Sequence, residues 1–183
     1  MSGFEKLDEH LIHQGAVVGF WEGRFRGPDG QEFTRDVVKH PGAVSVVPLL
    51  DDRTVVMVRQ FRAALDQLVL EIPAGKLDEI DEPPEECARR ELIEEVGYEA
   101  GRLEHLTSFA QSPGFCDEIN HVYLATDLAK TDASTQGIEE EHMTVEHVAL
   151  AAVPGAIASG EIIDAKTIIG LLLAIRSSES ESR

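Results

Sequence analysis

The sequence predicts a mixed α/β (α+β) fold in which strands are the majority. Three observations carry this. Short runs rich in Val, Ile, Leu and Phe recur between residues 14 and 148, separated by Gly, Pro and Asp signals. One acidic segment repeats apolar residues at every fourth position, Ala88, Leu92 and Val96. Near the end, Ile168, Ile169, Leu172 and Ile175 fall at helical spacing behind Asp164, a residue type suited to capping a helix.

Taken in order, residues 14–40 read as strands around the turn Gly27-Pro28-Asp29-Gly30, with Phe20, Trp21, Phe25 and Phe33 about it. Those aromatics suit core or dimer packing, or stacking on a flat ligand. Strands follow at 44–50 and 54–61, joined at Asp51-Asp52-Arg53, and at 68–72. The acidic helix opens after Asp81-Glu82 at Pro83-Pro84 and closes at Gly97, the usual place for a left-handed cap. Further strands are expected at 103–109, 120–125 and 143–148, then a closing helix within 161–176. The polar tail 177–183, SSESESR, is expected to be disordered. Residues 1–42 form an N-terminal strand region, and 43–176 form the main domain.

A chain of 183 residues with net charge −18 suits one domain with a sizeable core. That charge excludes a general nucleic-acid binder, which needs a basic surface. Any anionic ligand would have to be attracted by local positive charge, not by the overall field. Cys87 and Cys116 do not make a disulfide framework. Cys87 lies beside the apolar face of the acidic helix, where it packs, and Cys116 falls in a loop. The first residues carry no secretory pattern, and the apolar run 168–175 is far short of a membrane span. The chain therefore reads as cytoplasmic, with no membrane partner.

The acidic helix carries the chemistry. Glu91, Glu94 and Glu95 fall at i, i+3 and i+4 on one side. Like charges so placed cost a helix roughly 0.2–0.5 kcal/mol per pair, and they sit at the end where the macrodipole disfavours anions. Such a cluster calls for a cation. Oxygen ligands point to a hard one, Mg2+ or, as a substitute, Mn2+.

The segment from Gly75 to Tyr98 resembles the Nudix box, G-x5-E-x7-R-E-U-x-E-E-x-G-U with U apolar. Glu82, Arg90, Glu91, Leu92, Glu94, Glu95, Gly97 and Tyr98 fall in place, with one extra residue between Gly75 and Glu82. The insertion belongs in the loop, which leaves the metal-binding half intact. The resemblance implies a Nudix fold, mixed sheets between helices, and hydrolysis of a diphosphate. It further implies metal ligands at the Ala74 backbone oxygen and at Glu91 and Glu95, with Glu94 close by and Arg90 orienting Glu94.

Several other segments resemble the ADP-ribose pyrophosphatase branch. These are Gln111-Ser112-Pro113-Gly114-Phe115, Arg59-Gln60-Phe61-Arg62, Arg35 with His40-Pro41-Gly42-Ala43-Val44, and Gly160 to Ala165. The resemblance then implies substrate contacts at Arg35, Arg62, Glu71, Pro113 and Gly114. It implies a base at Glu139 and an added metal ligand at Glu141, with Glu140 the alternative one residue away. It also implies a homodimer formed through the N-terminal strands. ADP-ribose would give AMP and ribose 5-phosphate. Another nucleotide sugar, such as GDP-mannose or ADP-glucose, is the alternative substrate, and a non-catalytic nucleotide sensor is a third reading.

Overall fold

The computed structural model describes residues 3–79, 81–133 and 142–181. The chain divides into two compact units, Met1–Gly42 with Ala110–Ile119, and Ala43–Phe109 with Asn120–Arg183.

The first unit holds an antiparallel sheet of β1 (Glu5–Gln14), β2 (Gly19–Arg26) and β3 (Glu32–Lys39), in that order. The expected turn joins β2 to β3: Gly30 N–H donates to the Gly27 carbonyl at 2.9 Å, and Asp29 accepts from Gln31 N–H at 3.0 Å. Across the ladder Phe25 opposes Phe33, and their rings stack at 5.6 Å. Phe25 and Phe33 therefore pack on each other, whereas Trp21 lies under Lys39 and Phe20 is exposed. β1 begins earlier than any strand expected from the sequence. Its residues EKLDEHLIHQ are nearly all exposed, so no buried face imposes an alternating pattern.

In the second unit β4 (Ala43–Pro48) runs parallel to β9 (Ile119–Lys130) and antiparallel to β7 (Ala74–Lys76), and β8 (Tyr98–Ala110) lies at the edge of this sheet. A second sheet orders β10 (Thr144–Ala149), β5 (Thr54–Arg62) and β6 (Gln67–Glu71). Because side chains alternate along a strand, β4 feeds two cores. Val44 and Val46 pack with Cys87, Ala88, Leu92 and Val96 of α1 (Pro84–Val96), whereas Val47 packs with Leu171 and Ala174 of the C-terminal helix. Sheets thus lie between helices, as expected.

Helix boundaries follow local chemistry. Pro84 opens α1, and Gly97 closes it at φ 67°, its N–H donating to the Ile93 carbonyl. A short helix, α2 (Val153–Ser159), was not legible, since Pro154 and Gly155 read as turn residues. The closing helix, α3 (Ala165–Glu181), starts behind the expected cap: Asp164 Oδ2 accepts from Thr167 N–H at 2.9 Å. It also runs past Ser177, where irregular chain was expected. Ser178 Oγ donates to the Ala174 carbonyl at 2.9 Å and accepts from Arg53 at 2.9 Å, so this polar residue finds partners within helical geometry. Among the described residues no helix is long and apolar enough to cross a membrane.

Candidate active site

Helix α1 lays its apolar stripe and two of its carboxylates on the same buried side. Glu91 is 8% exposed and Glu95 3%, while Glu94 is half-buried. Buried carboxylates require partners, because an uncompensated charge in the interior is costly. Glu95 Oε2 accepts the Ala74 N–H at 3.1 Å, which ties the helix to β7.

Arg90 is the hub of the cluster. Its Nε and Nη2 donate to both oxygens of Glu82 at 3.0 and 2.9 Å, a bidentate fork. Its Nη1 donates to Glu91 at 2.8 Å and to Glu94 at 3.1 Å. The expected Arg90–Glu94 pair is therefore present, but the Glu82 fork, eight residues back, is the stronger hold and was not foreseen. The Glu82 fork, against burial and with help from the Glu91 charge, raises Arg90 further above its ordinary value. Arg90 in turn holds the Glu82 carboxyl below the usual range. Cys87 is fully buried here. Burial first, then the Glu82 carboxylate, pushes its thiol up to about 12, so it packs as a neutral group.

Gly75 makes room for this arrangement. A Cβ there would stand 1.9 Å from the Glu91 carboxyl carbon and 2.0 Å from its Oε1. Gly75→Ala is expected to swing the flexible end of Glu91 aside with little loss of fold. The divalent-cation concentration needed for half-maximal activity should rise about tenfold or more, the scale on which metal sites respond to displaced partners. A metal titration of the variant, read beside its thermal denaturation, checks this; an unchanged requirement would separate Glu91 from the metal.

Beside α1, Glu71 at the end of β6 is 2% exposed. Arg62 donates to it through Nε at 2.8 Å and Nη2 at 2.5 Å, and Lys166 Nζ donates at 2.5 Å. Burial alone would push the Glu71 carboxyl up, but the Arg62 fork and the Lys166 charge outweigh it and hold the group below its ordinary value. The Glu71 fork is the main influence raising Arg62; burial opposes it, and Asp164 and Glu95 add to it electrostatically. The structure thus brings Arg62, Glu71 and the Glu95 end of α1 into one neighbourhood. Lys166, on the closing helix, was not foreseen: nothing local in the sequence links residues so far apart.

Arg35, Pro113 and Gly114 belong to the first unit. Arg35 lies on β3 with its guanidinium 4.6 Å from the Phe33 ring centroid. Pro113 and Gly114 form an exposed turn in which Phe115 N–H donates to the Ser112 carbonyl at 3.1 Å, and Val38 N–H fastens it to β3 through the Phe115 carbonyl at 2.7 Å. Glu139, Glu140 and Glu141 lie outside the described residues.

The donor set of Glu91, Glu94, Glu95 and the Ala74 carbonyl is all oxygen, which fits a hard divalent cation. Among the described residues, no three His, Cys, Asp or Glu side chains converge tightly enough to hold a metal ion. Arg90 draws Glu91 and Glu94, and Glu95 is turned to Ala74 N–H.

Known proteins resemble this chain over most of its length. The NUDIX domain matches residues 39–168. An ADP-ribose pyrophosphatase of Bacillus subtilis is 42% identical over 88% of this chain and 86% of its own length. A methanol dehydrogenase activator of Bacillus methanolicus is 41% identical over 87% of this chain and 86% of its own. An ADP-ribose pyrophosphatase of Mycobacterium tuberculosis is 37% identical over 92% of this chain and 82% of its own. A crystal structure of an ADP compounds hydrolase shares the fold, with a TM-score of 0.85 at 20% identity over 98% of this chain and 96% of that one. With residues 39–168 matched by that domain and relatives at 37–42% identity over most of its length, the chain belongs to the NUDIX family.

Proposed function

We propose that this protein hydrolyses the diphosphate bond of ADP-ribose, giving AMP and ribose 5-phosphate with Mg2+, for which Mn2+ substitutes. The observation that carries this is the pair of buried carboxylates, Glu91 and Glu95, set against the Ala74–Gly75 backbone with Arg62 in electrostatic reach of Glu95. The similarity to two ADP-ribose pyrophosphatases supports the substrate.

Glu91, Glu95 and the Ala74 carbonyl, with Glu141, are the residues that would hold the cation. When bound, the cation shields phosphate oxygens and lowers the pKa of attacking water. The chain's own groups do the rest. Arg90 keeps Glu91 and Glu94 in orientation. Arg62 offers a guanidinium edge to an anionic part of the substrate, and Arg35 is read in the same role. The Pro113–Gly114 turn contributes backbone contact, and Glu139 takes the proton from water.

The test is product analysis on ADP-ribose, GDP-mannose and ADP-glucose with Mg2+ present. ADP-ribose is expected to show the highest kcat/KM by about tenfold or more, one of its contacts being worth that much. A preference for GDP-mannose would replace the substrate and leave the chemistry standing.

We also read the N-terminal sheet as a homodimer surface. Leu11, Ile12 and Phe20 are exposed there, and large apolar area is seldom left bare. Light scattering is expected to give twice the chain mass, and a monomer at working concentration would remove this reading.

A further inference from the structure

Four charged residues form a chain of ion pairs, Arg62–Glu71–Lys166–Asp164, between the end of β6 and the start of α3. Arg62 holds Glu71 by a fork, Lys166 Nζ lies 2.5 Å from Glu71 and 3.0 Å from Asp164, and Asp164 caps α3. The chain of ion pairs is balanced, two cations with two carboxylates. Glu71 and Lys166 are buried, at 2% and 8% exposed, whereas the Arg62 side chain is 38% exposed. Arg62 is thus the member that meets the outside. Its Nε and Nη2 are engaged by Glu71, and its Nη1 makes no hydrogen bond among the described residues.

A buried lysine is an expensive way to fill space. Its position explains it. Asp164 lies within electrostatic reach of Arg62, so two carboxylates compete for one guanidinium. Lys166 stands between them and satisfies both. Without it, Asp164 loses its cation and Glu71 loses a donor. The exposed arginine would then be drawn toward Asp164. Thr167 Oγ1 accepts the Ile72 N–H at 3.0 Å, which fixes the start of α3 on the chain just after Glu71 and holds Lys166 in register.

We propose that Lys166 is a positioning residue for Arg62: by holding Glu71 and occupying Asp164 it keeps the Arg62 fork on Glu71 and leaves the Nη1 edge for an anionic group of the substrate. This rests on the hydrolysis of ADP-ribose proposed above. The device acts on binding, not on the attacking water, so it predicts a split between KM and kcat.

The full chain is assayed on ADP-ribose with Mg2+ as wild type, Lys166→Met and the double variant Asp164→Asn/Lys166→Met. Lys166→Met is expected to raise KM about tenfold, the scale of a misplaced charge-assisted contact, with kcat within about threefold. The double variant removes the competing carboxylate while asparagine still caps α3, so KM is expected to return to within about threefold of wild type. A protein merely loosened by losing Lys166 would gain nothing from a second charge removal. Should Lys166→Met be insoluble, Lys166→Gln takes its place. An unmoved KM, a loss confined to kcat, or a KM that stays raised in the double variant overturns the assignment. Wild-type turnover beside any of these overturns it alone, whereas a wild-type chain that leaves ADP-ribose intact overturns the activity as well.

Discussion

Glu95→Gln is expected to lose more than about 100-fold in kcat/KM while keeping its fold, since a lost ligand should exceed the tenfold to 100-fold typical of outer partners. Glutamine preserves the shape and can still accept the Ala74 N–H through its own oxygen, the contact that Glu95 makes at 3.1 Å. Only the charge is removed. Glu95 is buried and shares its helix with Glu91 and Glu94, so losing one anion relieves repulsion of roughly 0.2–0.5 kcal/mol per pair. Thermal denaturation should therefore show a midpoint equal to or slightly above that of wild type. A folded, stable and inactive variant separates the role in metal binding from a role in stability. Wild-type turnover by Glu95→Gln at ordinary Mg2+ would sink the assignment of Glu95 as a ligand.

Helix α1 was legible because its signals are local. Ala88, Leu92 and Val96 recur at i+4, Pro84 marks the start, Gly97 the end, and all three features are present in the structure. The closing helix was legible through Asp164, although it begins at Ala165 and continues to Glu181. β1 was not, because a strand with neither face buried leaves no alternation to read. β8 was read short: its first residues, Tyr98 to Arg102, follow the helix cap directly and include Ala100 and Gly101, which carry little strand preference.

The site shows the same division. The carboxylates of α1 and their Arg90 were readable from spacing along one helix. The Glu82 fork depends on a loop folding back across the helix, and the Lys166–Glu71 contact joins residues 95 apart. No periodicity reports such a pair. The surviving trace in the sequence is chemical: a lysine in the first turn of a helix that buries Leu171 and Ala174.

Glu139→Gln is expected to lower kcat by a factor of about 10² to 10⁴, the usual contribution of a positioned general base. The run Gly137 to His142 precedes β10 and lies largely outside the described residues, so this expectation rests on the family resemblance and on chemistry. A base that removes a proton from water takes no part in holding substrate. Glu139→Gln should therefore still bind ADP-ribose and Mg2+, with calorimetric affinities near those of wild type. Water activated there should strike the phosphorus attached to adenosine. In water enriched in heavy oxygen, the label should appear in AMP and not in ribose 5-phosphate. Glu140→Gln should stay near wild type, because the resemblance gives it neither the base nor the ligand role. Glu141→Gln should mainly raise the Mg2+ requirement. A critical Glu140 would shift the register by one residue, and three near-normal variants would move the base to the carboxylates of α1.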